Sequence, residues 1–307
     1  MRERPNDAIL SREDAIEAVK SRFAPQIELL RDIANYGSNL IIRAYNSSPK
    51  QMAEAIVCGV LLKQIVAMVD AIEVLLSSGC GHAAFLQARS AFEASIYLDW
   101  ILTTDSERRA TRYLVGNYRD ERLWANRVIP GTHEEATFTN ITKFVGLDTD
   151  AILPSLAAYA SHRLAEINRI LAQPHLKQID DEFNTQKAKK KRKHDPKWYE
   201  LDGNITIRGM ASSVGRLAEY EVFYAKGSRV NHCASYKDHV AFSDGHLRFK
   251  PIRNLADVNM LLNFVRAISI RTYGKVIETY RPGELEAFRK KYREDWQDPI
   301  QSIMEAE

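Results

Sequence analysis

From Ala55 to Leu76 the chain is apolar around most of a helical circumference. Val57, Leu61, Met68, Ile72 and Leu75 form its densest stripe. A helix apolar on most sides needs covering on most sides, which makes it the central element of a helical fold. Lys63, Asp70 and Glu73 interrupt it, and charges at the middle of a bilayer are costly, so the stretch reads as core rather than as a membrane span. Gly79 and Gly81 then stop the helix and turn the chain.

Helix signals recur along the rest of the sequence. Ser11 before Glu13 and Asp14 reads as a cap and acidic first turn. Ser48, Pro49 and Gln51 form a fuller start signal, and Thr104–Glu107 and Thr132–Glu135 are further capping-box candidates. The patterns place helices near 11–22, 26–45, 50–77, 82–103, 105–128, 133–145, 150–172, 206–214, 217–232, 254–280 and 283–295. Only residues 239–243 and 246–250 read as strands, on either side of the turn dipeptide Asp244-Gly245. The expected fold is therefore an all-α multi-helix bundle with one small β-hairpin near 239–250. The expected division is N-terminal helices over 1–46, a main bundle over 47–281 with a basic loop near 185–197, and a C-terminal helix and tail over 282–307.

Composition narrows the class. Charged residues make up 27% of the chain and the net charge is +3, so any attraction to nucleic acid has to be local. The three cysteines, Cys58, Cys80 and Cys233, form no Cys-x-x-Cys, which argues against a disulfide framework or thiolate zinc site. With no apolar leader, the expectation is a cytoplasmic protein. Phosphate-loop, Gly-x-Ser-x-Gly and His-Glu-x-x-His signatures are missing. His232, His239 and His246, with Cys233 and Asp244 nearby, carry nitrogen, sulfur and oxygen donors, but their spacing matches no familiar zinc pattern. No metal or cofactor is expected.

Polar chemistry concentrates in two helices. Tyr220, Tyr224, Ser228 and His232 recur at intervals of four and fall along one helical stripe. Gly227 beside Ser228 permits close approach of another backbone or a ligand, and Arg229 adds a fork suited to phosphate or carboxylate. The second helix carries Arg89 and Glu93 among Leu86, Tyr97 and Trp100. Arg precedes Glu, the less favourable order for an exposed pair, so the pair reads as internal. The plain alternative is that it fixes helix register.

Two basic stretches offer phosphate contacts. Lys189, Lys190, Lys191, Arg192 and Lys193 form a run that serves either as a solvated helix end or as a nucleic-acid patch. Arg108, Arg109, Arg112 and Arg119 repeat along another helix. They read as a solvated face with buried stems, or as a phosphate-contacting wall with Arg112 in it.

Arg89-Ser90-Ala91-Phe92-Glu93, then Lys197-Trp198-Tyr199, then Thr206-Ile207-Arg208-Gly209-Met210-Ala211, then the Tyr220–His232 stripe follow one another in an order that resembles a widespread bacterial all-helical family of unknown function. That family is in turn distantly similar to the HEPN superfamily of nucleotide-binding and RNase domains. The resemblance spans roughly residues 50 to 280. The RNases of that superfamily place four to six residues between Arg and His, whereas only two separate Arg229 from His232. The resemblance thus implies first a binding module for a ligand, nucleotide or RNA, in a bacterial setting such as phage defence, with a pocket lined by Arg89, Glu93, Tyr224, Ser228 and His232. A metal-independent ribonuclease or toxin using His232 and Arg89 is the alternative, and a dimerising scaffold the third reading. RNA or a nucleotide and a second copy of the chain are the expected partners; a membrane is not.

Overall fold

A computed structural model describes residues 3–47, 53–146, 148–203, 205–243 and 245–297. The Ser48–Gln51 start signal and Asp244 lie outside the described residues. The fold is all-α with one small hairpin, as the periodicity indicates. The chain forms two compact units: residues 1–104 with 207–307, and residues 105–206 inserted between them.

The first unit is built on α1 (Arg12–Ser47), α2 (Ala53–Ser77), α3 (Gly81–Ile101) and α12 (Val258–Tyr280). α2 packs against α1, α3 and α12 and buries Val57, Leu61, Leu62, Ile65, Val69, Ile72 and Leu76. It is long and apolar enough to span a bilayer, and half of that apolar window is buried within the unit. α3 buries Ala84, Ala88, Ala91 and Ala94 together with Phe85, Phe92 and Leu98, so neighbours approach it from several sides.

α1 departs from expectation by running unbroken through Pro25. A proline inside a helix costs about 3 kcal/mol. Here the apolar stripe continues on both sides of it, with Val19, Ile27, Leu30, Ile33 and Leu40 all buried. Packing of that stripe on α2 and α12 outweighs the local break. For the same reason α1 is part of the unit's core rather than a separate N-terminal element.

Between α3 and α12 come α8 (Ile207–Ser213), the short α9 (Leu217–Glu219), a π-helical turn at Tyr220–Tyr224, α10 (Ala225–Asn231) and α11 (Tyr236–His239). The hairpin β1 (Val240–Ser243) and β2 (His246–Phe249) follows α11 in antiparallel register, with Val240 opposite Phe249 and Ser243 opposite His246. α13 (Leu285–Lys291) and a π-helical turn at Tyr292–Trp296 close the described part, with Trp296 fully buried and its indole nitrogen donating to Asp32 at 2.7 Å.

The second unit contains α4 (Ser106–Asn126), α5 (Glu135–Phe144), α6 (Thr149–Leu171) and α7 (Pro174–Lys189). α7 is a helix where the sequence reading placed none. Its composition is polar and its buried contribution is only Leu176, Ile179 and Phe183, but these fall on one face, and Pro174 at its start suits a first turn. The lysine run is therefore not a free loop at its beginning: Lys187 and Lys189 form the last turn of α7, where cations complement the helix dipole.

Candidate functional site

In the first unit the Arg89 guanidinium meets the Tyr224 hydroxyl. Arg89 Nε donates to Glu93 Oε1 at 3.1 Å, and Nη2 donates to Tyr224 Oη at 2.9 Å. Tyr224 ends a π-helical turn whose i→i+5 bonding puts the Ala225 N–H on the Tyr220 carbonyl. Residues four apart still share a face, and the Tyr220 and Tyr224 rings stack at 4.6 Å. Burial first, and then the Glu93 carboxylate, push the Tyr224 phenol up to about 12, so it stays protonated. Gly227 makes the close approach possible: a Cβ there would lie 2.8 Å from Arg89 Cβ and 3.0 Å from the Phe85 carbonyl oxygen.

The rest of the stripe is not drawn in. Ser228 is half-buried, and Arg229 and His232 are exposed. No side-chain hydrogen bond or ion pair engages these three among the described residues. His232 follows the end of α10, roughly 12 Å along the helix axis from Tyr224. His232, His239 and His246 form no metal-binding group among the described residues either.

Deeper in the same unit lies a network that the sequence did not reveal. Arg216 is completely buried. Its Nη1 donates to Asp99 Oδ2 and Ser95 Oγ, both at 2.9 Å, and its Nη2 to Glu219 Oε2 at 2.6 Å. The guanidinium also stands over the Phe92 ring at 5.0 Å. Arg271 approaches Asp99 and Glu219 at 3.6 Å and donates to the Val214 carbonyl at 2.9 Å. Beside this network a cavity of about 540 Å³ is lined by Asp99, Arg271, Lys275 and Glu278 among others. Its acids and bases balance, so it has no net attraction for an anion.

The arginines of α4 are satisfied inside the second unit. Arg112 is buried; it donates from Nε and Nη2 to Glu182 Oε2, both at 3.1 Å, and lies 3.3 Å from Asp202. Arg109 pairs with Asp202 at 2.9 Å. Arg119 bonds Asp195 at 2.7 Å and also Asp180 and Asn184. Burial alone would raise the Asp195 carboxyl, but Arg119 and Lys187 hold it below the ordinary range. These guanidinium groups thus bind α4 to α7 and to the turn at Trp198–Leu201 rather than facing outward.

One basic surface in this unit stays open. A cleft of about 650 Å³ is lined by Asp120, Leu123, Arg127, His133, Glu134, Lys187, Lys193, His194, Asp195 and Lys197. Arg127 and the three lysines outnumber Asp120, Glu134 and Asp195 by one, and since Lys187 is paired with Asp195, the unpaired lysines of the cleft are Lys193 and Lys197. Of the run singled out in the sequence, only Lys193 lines this cleft. Lys189 and Lys191 are exposed, Lys190 ends α7, and Arg192 is tied to Glu200. Arg127, His133, Lys187, His194 and Lys197 are cleft residues that the sequence reading missed. Lys197 belongs to the Lys197-Trp198-Tyr199 motif, and Lys187 and His194 flank the lysine run; no local pattern points to Arg127 or His133.

Fold and geometry together define an all-helical protein with an internal guanidinium network in each unit and an open basic cleft in the inserted one. The chain belongs to DUF5677, a family of unknown function, whose match covers residues 55–247. That span includes both the Arg89–Tyr224 contact and the cleft. No curated protein and no solved structure matches the chain.

Proposed function

We propose that this protein is a non-catalytic binding module for a phosphate-bearing ligand, an RNA strand or a nucleotide, and that the ligand occupies the basic cleft of residues 120–197. The observation that carries this reading is the cleft itself: about 650 Å³, with Arg127, Lys187, Lys193 and Lys197 on its walls. A cavity of that size suits a nucleotide-sized ligand. No ion pair engages Lys193 or Lys197 among the described residues, so their charge is available to a phosphate. The Arg89–Glu93–Tyr224 group is here a clamp joining α3 to the π turn.

The ribonuclease alternative has less support. It needs Arg89 and His232 at one solvent-accessible point. Arg89 is instead bonded to Glu93 and Tyr224, while His232 stands in solvent beyond the helix end. Both readings meet in one experiment. Labelled single-stranded RNA is titrated with full-length protein at several salt concentrations with EDTA present. Binding should weaken with salt, and Lys193→Ala with Lys197→Ala should lower the log–log slope by about 1.4, as for two lost phosphate contacts on a single strand. A double variant with unchanged affinity and slope would remove the cleft from the argument. RNA cleavage that disappears in His232→Ala would replace this reading with the ribonuclease.

A further inference from the structure

Trp124 is set apart from the other tryptophans. Trp100, Trp198 and Trp296 are buried at 3%, 9% and 0% exposure, whereas Trp124 is 63% exposed. It contributes little to the core, and its indole stands where a ligand can reach it. A single exposed aromatic is ordinary; its surroundings are what distinguish this one. Asp120, Leu123 and Arg127 on α4 and just beyond it line the basic cleft. Trp124 follows Leu123 and so lies at the rim of that face. The Arg127 guanidinium, itself a wall of the cleft, stands 3.7 Å over the centre of the Trp124 ring. Trp124 does not itself line the cleft, but that contact sets its indole beside one of the cleft's walls.

We propose that Trp124 is a stacking platform for an unpaired base of a single-stranded nucleic acid whose phosphates lie in the cleft. This rests on the phosphate-binding reading given above and names its substrate class. The chemistry follows from the two groups. Lysines and Arg127 attract the backbone without regard to sequence. An exposed indole face offers stacking to any base, provided the base is not already stacked in a duplex. Arg127 then serves twice, as a phosphate contact and as the support of the ring.

The test uses the full chain and three probes: an RNA strand of about 12 nucleotides, the same strand made abasic, and a duplex of equal length. All four tryptophans contribute to intrinsic fluorescence, but only exposed Trp124 is open to stacking with a bound base, so the quench assigned to it is the part that Trp124→Phe abolishes. The intact single strand should quench that emission on binding. Trp124→Ala should weaken its binding by roughly 5- to 150-fold, the range of one lost base stack, while Trp124→Phe should retain most of it. The abasic strand and the duplex should bind wild type about as weakly as the intact strand binds Trp124→Ala, and be indifferent to that substitution. The side chain is exposed, so an unchanged thermal midpoint will show that the variant folds. If the abasic strand binds as tightly as the intact one and Trp124→Ala changes nothing, stacking is refuted while the cleft remains a phosphate site. If none of the probes binds, this inference falls together with the RNA half of the reading beneath it.

Discussion

Gly227→Ala isolates the approach of α10 to α3. A methyl group at position 227 would stand 2.8 Å from Arg89 Cβ and 3.0 Å from the Phe85 carbonyl oxygen. The first is the root of a side chain and the second is helix backbone, so neither can swing aside. Alanine is a better helix former than glycine by about 0.8–1.0 kcal/mol. Overpacking of a tight contact costs about 1–3 kcal/mol. Moving α10 outward also strains the 2.9 Å bond between Arg89 and Tyr224. Those two terms net to a destabilisation of about 0–2 kcal/mol, and the strain on the Arg89–Tyr224 bond adds to it. Gly59, in the second turn of α2, supplies the control, since a Cβ there meets nothing within 4 Å. Gly59→Ala should therefore stabilise by about the full propensity difference, ~0.8–1.0 kcal/mol. Urea unfolding of both variants measures the two effects, with unchanged m-values showing that the folded state is intact. Each kcal/mol corresponds to a shift of about 2–4 °C in Tm for a unit of this size. The two substitutions should move the midpoint in opposite directions. A Gly227→Ala protein at least as stable as wild type would refute the packing of α10 on α3.

Three further outcomes are expected. Arg216→Met leaves Asp99 and Ser95 without their buried cation and should cost about 3–5 kcal/mol by chemical denaturation, with much of that recovered when Asp99→Leu is added; a single variant as stable as wild type would show that the network is not buried as described. His82 is held below its ordinary pKa by burial, then by His239 at a ring distance of 4.8 Å, with Asp238 opposing and Lys226 adding to the shift. Between about 6.5 and its lower folded value the unfolded chain binds a proton that the folded chain does not, so this contribution to stability is full above about pH 6.5 and is lost as pH falls through that window. His82→Gln should flatten that part of the Tm–pH curve, and an unchanged slope would exclude His82 as its source. Among the thiols, exposed Cys233 should react rapidly with an aromatic disulfide reagent, while Cys58, buried and pushed up to about 12, should react only on unfolding; rapid modification of Cys58 in native protein would contradict the packing of α2.

Local pattern alone accounts for the helical class, the hairpin near 239–250 and the central place of α2. All three follow from the spacing of apolar and charged groups along one element, and burial obeys that spacing; the Arg89–Glu93 pair, read from the same spacing as internal, is only half-buried. Tertiary structure decided the rest. Pro25 is carried inside α1 because α2 and α12 cover the apolar stripe on both sides of it. α7 persists on three buried side chains because α4 lies beside it, its arginines matched to Glu182 and Asp180. The even spacing from Tyr224 to His232 suggested a single site, yet only Tyr224 reaches Arg89; the π turn and the end of α10 dispose the other groups elsewhere. Arg216 and the basic cleft had no local signature at all. Their parts come from stretches far apart in the chain, and which helix face meets which is set by the packing of the whole unit, not by the period of any one helix.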